Sequence, residues 1–126
     1  MPLKTVMVVD DSEAEQFLYK HMLQSYDANI NVISAYDGKE ALNTLETSET
    51  KPDCILLDIN MPRMNGFEFL DSYVEQFKDH HISVAMLTSS SQDNDKERAL
   101  SYECVKHYFL KPITTEDLEI LTDIVN

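Results

Sequence analysis

Cys54-Ile55-Leu56-Leu57-Asp58-Ile59-Asn60-Met61-Pro62 is the stretch from which the fold can be read. A short apolar run delivers one aspartate, and a proline-bearing turn follows. A strand buried on both faces reads as a continuous apolar run rather than an alternation. Asp58 therefore falls where a buried strand ends and a loop begins. In open parallel α/β sheets the ligand site lies just beyond such carboxyl ends. Taken alone, an aspartate there is equally a capping residue before a turn. What decides between the two is what the other strands bring to the same edge.

Working outward, Lys4-Thr5-Val6-Met7-Val8-Val9 is a β-branched run ending at Asp10-Asp11. Ser12-Glu13-Ala14-Glu15 follows with the capping-box pattern, Ser12 at the N-cap and Glu15 three residues on. The helix it opens carries Ala14, Phe17, Leu18 and Met22 along one side and runs to about Ser25. Asn31 to Ala35 is a second strand, and Asp37 and Glu40 open a helix that turns Ala41, Leu42 and Leu45 inward. After the Asp58 strand, Asn65-Gly66 makes a turn, and Phe67, Leu70, Val74 and Phe77 recur at helical spacing. Lys78-Asp79-His80-His81 is a polar connection.

Ile82 to Leu87 is a fourth strand, followed by Thr88 and a serine run, then a weakly apolar helix from about Asp93 to Tyr102. Val105 to Leu110 is a fifth strand ending at Lys111-Pro112, and Thr114-Thr115-Glu116-Asp117 caps a last helix bearing Leu118, Leu121 and Val125. Five strands alternating with five helices predict an α/β fold, a parallel sheet covered on both faces. No linker or repeat interrupts the 126 residues, so one domain spanning residues 1–126 is expected.

Composition narrows the function. Ten basic against 23 acidic side chains give a net charge of −13, which disfavours nonspecific binding to nucleic acid or anionic lipid. No apolar run approaches membrane-spanning length, and the N-terminus has no signal-peptide pattern. Cys54 and Cys104 have no paired spacing and read as reduced thiols of a cytoplasmic protein. His21, His80, His81 and His107 lack a metal-ligand spacing.

The strand ends together offer Asp10 and Asp11, Asp58, Thr88 and Lys111. Three carboxylates meeting at one edge would repel, and a hard divalent ion relieves that; Mg²⁺ suits carboxylates, water and phosphate. A hydroxyl and an ammonium are the donors that phosphoryl oxygens need.

In this combination the chain resembles the receiver domains of two-component response regulators, along essentially its whole length. The resemblance rests on Val8-Val9-Asp10-Asp11-Ser12, Leu56-Leu57-Asp58-Ile59-Asn60-Met61-Pro62, Gly66, Met86-Leu87-Thr88-Ser89 and Tyr108-Phe109-Leu110-Lys111-Pro112. It implies a (βα)5 doubly wound sheet in the flavodoxin-like order 2-1-3-4-5. It implies that Asp58 accepts a phosphoryl group, and that Asp11, Asp58 and the Asn60 backbone carbonyl bind Mg²⁺, with Asp10 acting through water. Thr88 and Lys111 would contact the phosphoryl group, and Thr88 and Tyr108 would form a switch pair. Asn60 and Ser90 would flank the path of the hydrolytic water and set the adduct's lifetime. The Lys111-Pro112 bond is usually cis in this family.

The serine run after Thr88 and Asp95-Lys96-Glu97-Arg98-Ala99 are similar to those of stand-alone receivers without an output domain. The function implied is a phosphorelay acceptor rather than an enzyme, with self-catalysed phosphorylation and slow loss of the phosphoryl group. A sensor histidine kinase or phosphotransfer protein would be the donor, and a downstream protein rather than nucleic acid or membrane would read the result. Two alternatives stand beside it. One is a Mg²⁺-dependent aspartyl-phosphate phosphatase or hydrolase, against which Asn60 stands where a second acid is usual. The other is a receiver-like binding module that works without phosphorylation.

Overall fold

The structure is a computed structural model that describes residues 4–49, 51–77 and 82–125. In chain order it forms β1 (Thr5–Val9), α1 (Glu13–Tyr26), β2 (Asn31–Ala35), α2 (Gly38–Thr47), β3 (Cys54–Leu57) and α3 (Gly66–Gln76). Then come β4 (Ser83–Thr88), α4 (Asp93–Leu100), β5 (Val105–Leu110) and α5 (Thr115–Val125). The expected connection at Lys78 to His81 lies outside the described residues, and so do His80 and His81. The strands are all parallel, in the order β2-β1-β3-β4-β5.

Every residue of β1 and β3 is buried, as two-sided coverage of a central strand requires. Alternation sorts their side chains into two cores. Met7, Val9, Ile55 and Leu57 pack with Leu42, Leu45, Phe69, Leu70 and Ala99 of α2, α3 and α4. Val6, Val8, Cys54 and Leu56 pack with Tyr19 and Leu23 of α1 and with Leu118 and Leu121 of α5. The helices thus divide two and three across the sheet. No helix among the described residues is long and apolar enough to cross a membrane.

Helix α1 sits differently from its apolar spacing, and α3 departs from its own at Val74 while Phe67, Leu70 and Phe77 are buried as expected. On α1 the side carrying Phe17 and Leu18 faces out, at 76% and 43% exposure, and Gln16, Tyr19 and Leu23 are buried instead. The reason lies in Gln16, a polar side chain whose partners are strand carbonyls beneath the helix; turning it inward rotates Phe17 into solvent. On α3, Val74 is 41% exposed while Phe69 and Tyr73 are buried, and Phe69, Tyr73 and Phe77 stack with ring centroids 5.8 and 5.7 Å apart. Three stacked rings remove more apolar area from water than a valine-centred face would. The orientation of α1 is directly testable. Phe17→Ala should change stability by no more than about 0.5 kcal/mol, and Tyr19→Ala should cost roughly 3 kcal/mol or more in denaturant unfolding.

Helix α4 ends at Leu100, two residues earlier than the spacing suggests, and buries only Ala99. It is moored to α3 from the outside: Arg98 lies 4.1 Å over the Phe67 ring, and the Tyr102 hydroxyl donates to Asp71 Oδ1 at 2.5 Å. Few buried apolar side chains and exposed moorings mark it as a lightly seated helix. The turn through Glu103 and Cys104 closes with Val105 N–H on the Tyr102 carbonyl, 3.1 Å, and a register shift follows between Val84 and Ala85.

Candidate functional site

Strand register brings the acidic ends together. Val9 pairs with both Ala35 and Leu57, so Asp10 and Asp58 each continue directly from adjacent strands. Their backbones stay in the sheet's pattern: Asp10 N–H donates to the Ala35 carbonyl and Asp58 N–H to that of Val9, both at 3.0 Å. Beneath them, the buried Gln16 Nε2 donates to the carbonyls of Val8, Asp10 and Ala35 at 2.9, 3.0 and 2.8 Å. One side chain from α1 thus ties β1 and β2 just below the acids.

Both aspartates are buried and their carboxylates are satisfied from several sides. Asp10 Oδ1 accepts from Ser12 N–H at 2.9 Å, and Asp58 Oδ1 from Ile59 N–H at 2.8 Å. Lys111 reaches both from the end of β5, its Nζ 2.9 Å from Asp10 Oδ2 and 3.1 Å from Asp58 Oδ2. The Lys111-Pro112 bond is cis. A third acid shares the ammonium: Glu15 Oε2 lies 2.7 Å from Nζ.

The carboxylates that converge are therefore Asp10, Glu15 and Asp58, with ligand oxygens all within 4.8 Å of one another. Asp11 is exposed and stands outside this group, and the Asn60 side chain is exposed as well. Asp10 continues the β1 ladder, its N–H on the Ala35 carbonyl, and pairs with Lys111, whereas Asp11 lies one residue further along the chain. Glu15 has a second role in the sequence, as the third residue of a capping box. Its backbone N–H does donate to Ser12 Oγ, at 3.3 Å, but its carboxylate goes to Lys111.

Charge and burial oppose each other here. Burial pushes the Asp10 carboxyl up to about 6, against the Ser12 N–H and Lys111 that favour its ionised form. Burial also works against ionised Glu15, but Lys111 and the neighbouring Asp10 carboxyl outweigh it and hold Glu15 below the ordinary range. Burial disfavours the Lys111 ammonium too, yet the three carboxylates raise its pKa well above the usual lysine value.

For Asp10 the folded pKa lies above the unfolded one, so the folded protein binds the proton more tightly. The ionised form therefore destabilises the fold wherever the group is charged in both states, above about pH 6; the penalty fades as pH falls toward the ordinary aspartate value of 3.8. Asp10→Asn should accordingly raise the metal-free melting temperature by a few degrees at pH 8 and leave it unchanged near pH 4. Melting curves of both proteins across that range check this.

The loops around the cluster are pinned. Gly66 N–H donates to the Ile59 carbonyl at 2.8 Å, and Gly38 N–H to that of Met64 at 3.3 Å. Arg63, with a left-handed φ of 64°, forms an ion pair with Asp37. Burial opposes ionisation of Asp37, but the Glu40 N–H and Arg63 hold it below the usual carboxylate range.

Thr88 is fully buried at the end of β4, and its Oγ1 accepts from Ser90 N–H at 3.2 Å. The Tyr108 hydroxyl donates to the Ser90 carbonyl at 2.8 Å, so both members of the expected switch pair meet at Ser90. Ser90 Oγ donates in turn to Asp95 Oδ2 in the first turn of α4, at 2.6 Å. Sequence reasoning placed Ser90 by analogy alone; its tie to α4 depends on a loop conformation that no local pattern specifies.

A doubly wound parallel sheet in flavodoxin-like order, with an acid–lysine cluster at its carboxyl edge, defines the class of protein. The family model of the response regulator receiver domain matches residues 6–123, and the chain belongs to that family. It is 31% identical over 111 residues to the polar-differentiation response regulator DivK of Brucella anthropi, covering 88% of this chain and 86% of that one. The structure is similar to that of a two-component response regulator from Cytophaga hutchinsonii, with TM-score 0.91, 28% identity and coverage of 99% and 98% of the two chains. It is also similar to the chemotaxis protein CheY4 of Vibrio cholerae, with TM-score 0.82, 31% identity and coverage of 98% and 99%. Some relatives are far longer, and in two of them the chain spans 45% and 7% of the length.

Proposed function

We propose that the protein is a phosphorelay acceptor: Asp58 takes a phosphoryl group from the phosphohistidine of a histidine kinase or phosphotransfer protein. Receiver domains in general interact with such kinases and with downstream targets. The observation that carries the reading is the buried Asp58 carboxylate at the end of β3, sharing Lys111 with two further carboxylates.

In the step proposed, a carboxylate oxygen of Asp58 attacks phosphorus, the phosphorus–nitrogen bond of the donor breaks, and the imidazole leaves with the electron pair. An acyl phosphate forms on Asp58. Lys111, already 3.1 Å from Asp58 Oδ2, is poised to pair with the transferred group, and the Thr88 hydroxyl lies at the neighbouring strand end.

The donor set fits Mg²⁺: the converging ligands are all oxygens, and three carboxylates share a single ammonium. Asp11, Asp58 and the Asn60 carbonyl would hold the ion, with Asp10 acting through water. When bound it supplies charge neutralisation for the phosphoryl oxygens.

Phosphorylation adds charge at one edge of the sheet, and Ser90 couples that edge to Tyr108 and to α4. The surface of α4, β5 and α5 is then what a downstream protein reads. Asn60 and Ser90 flank the approach of water and set how long the signal lasts. No second acid stands two residues after Asp58, which supports self-catalysed modification over turnover of external substrates. Intact mass after incubation with acetyl phosphate and Mg²⁺ tests the reading. One phosphoryl group per chain is expected; catalytic consumption of donor without an adduct would favour a hydrolase, and no change would overturn the proposal.

A further inference from the structure

The cluster holds one more acid than the proposed phosphoryl chemistry uses. Glu15 comes from α1, not from a strand end, and makes the shortest contact to Lys111, 2.7 Å against 2.9 and 3.1 Å for Asp10 and Asp58. Its side chain is 33% exposed where those of Asp10 and Asp58 are 3% and 8% exposed, so it stands at the mouth with the other two below.

Glu15 also forgoes a bond that its position invites. At α3 the Glu68 carboxylate returns to Asn65 N–H at 3.0 Å while Asn65 Oδ1 accepts from Glu68 N–H at 2.9 Å, closing the capping box. Thr114 and Asp117 close the same reciprocal pair ahead of α5, at 2.9 and 3.1 Å. At α1, Ser12 N–H goes instead to Asp10, and Glu15 is left for Lys111.

We propose that Glu15 is a positioning residue for Lys111, retaining the ammonium when Asp58 and its aspartate neighbours engage a divalent cation. This rests on the functional reading above. A dication on Asp58 repels the ammonium that pairs with it, and a half-buried ammonium without a counter-charge is costly. With Glu15 present, Lys111 keeps a carboxylate 2.7 Å away at the mouth of the site, and Asp58 is released. Without it, Lys111 has, among the described residues, Asp10 and Asp58 as partners and competes with the cation for both.

Mg²⁺ titration without phosphodonor, followed by calorimetry and amide chemical shifts, tests this on the full chain. Glu15→Gln should weaken Mg²⁺ binding roughly tenfold, the scale of one partly screened charge close by. Glu13→Gln, which removes an exposed charge from the same helical turn, should bind as the parent does. In a Lys111→Met background, Glu15→Gln should have a clearly smaller effect, because there is no ammonium to hold. An equal loss of affinity with and without Lys111 would overturn the role, since Glu15 would then act as a plain charge. So would a Glu15→Gln protein that binds Mg²⁺ like the parent, and this would leave the functional reading standing. A parent that binds no Mg²⁺ would overturn both.

Discussion

Asp58→Asn protein incubated with acetyl phosphate and Mg²⁺ should gain no mass, whereas the parent gains one phosphoryl group per chain. The amide keeps the size of the carboxylate but has no anionic oxygen to attack phosphorus, so the loss should be complete rather than partial. The fold should survive it. Lys111 keeps Asp10 and Glu15 as partners, and the pocket loses one of three negative charges crowded around a single ammonium. The variant should therefore melt no lower than the parent without metal. Retained adduct on the variant would mean that another group is the acceptor.

Gly66→Ala should be the most damaging small substitution near the site. A Cβ at Gly66 would lie 2.4 Å from the Asp58 carbonyl oxygen, 3.0 Å from Ile59 Cα and 3.2 Å from the Asp58 carbonyl carbon. All three neighbours are backbone, so the loop after Asp58 must move. No glycine here has positive φ; the requirement is close approach, not backbone freedom. Overpacking of this kind costs about 3 kcal/mol, or on the order of 10 °C in melting temperature for a domain of this size. The acceptor would shift with its loop, and misplacement by about 1 Å can slow a reaction roughly a hundredfold. Gly38→Ala is the informative comparison. Its nearest neighbours are Met64 Cγ at 2.9 Å, Phe69 Cβ at 3.0 Å and the Met64 carbonyl oxygen at 3.1 Å, none as close as the 2.4 Å at Gly66, so it should lose less stability. Equal melting temperatures for Gly66→Ala and the parent would contradict the geometry.

How far the sequence could be read follows from which forces are local. The central strands were legible because burial on both faces leaves an unbroken apolar run, as in Cys54 to Leu57. The ends of those strands marked the acid cluster, because a polar residue ending such a run must sit at the sheet edge. Strand order is a tertiary property; it came from family resemblance, and the structure has that order.

Apolar spacing sets Phe17 and Leu18 on one side of α1 with Ala14 and Met22, yet the side that is buried carries Gln16, Tyr19 and Leu23. The carbonyls of Val8, Asp10 and Ala35 beneath Gln16 account for this, and they belong to β1, the residue that follows it, and β2 rather than to the helix. Glu15 was hidden in the same way. Its spacing from Ser12 has a complete local explanation in the capping box, and its actual partner lies 96 residues away. An acid in the first helical turn after a strand-end Asp pair was the available signal, since that turn overlies the edge where Lys111 arrives.

Reduction of the phosphorylated protein with borohydride, followed by digestion and peptide sequencing, tests the central claim most directly. An aspartyl phosphate is reduced to homoserine, which marks the acceptor in the chain. The account predicts homoserine at position 58 alone. Homoserine at position 10 or 11, or a reduced glutamyl group at position 15, would contradict it.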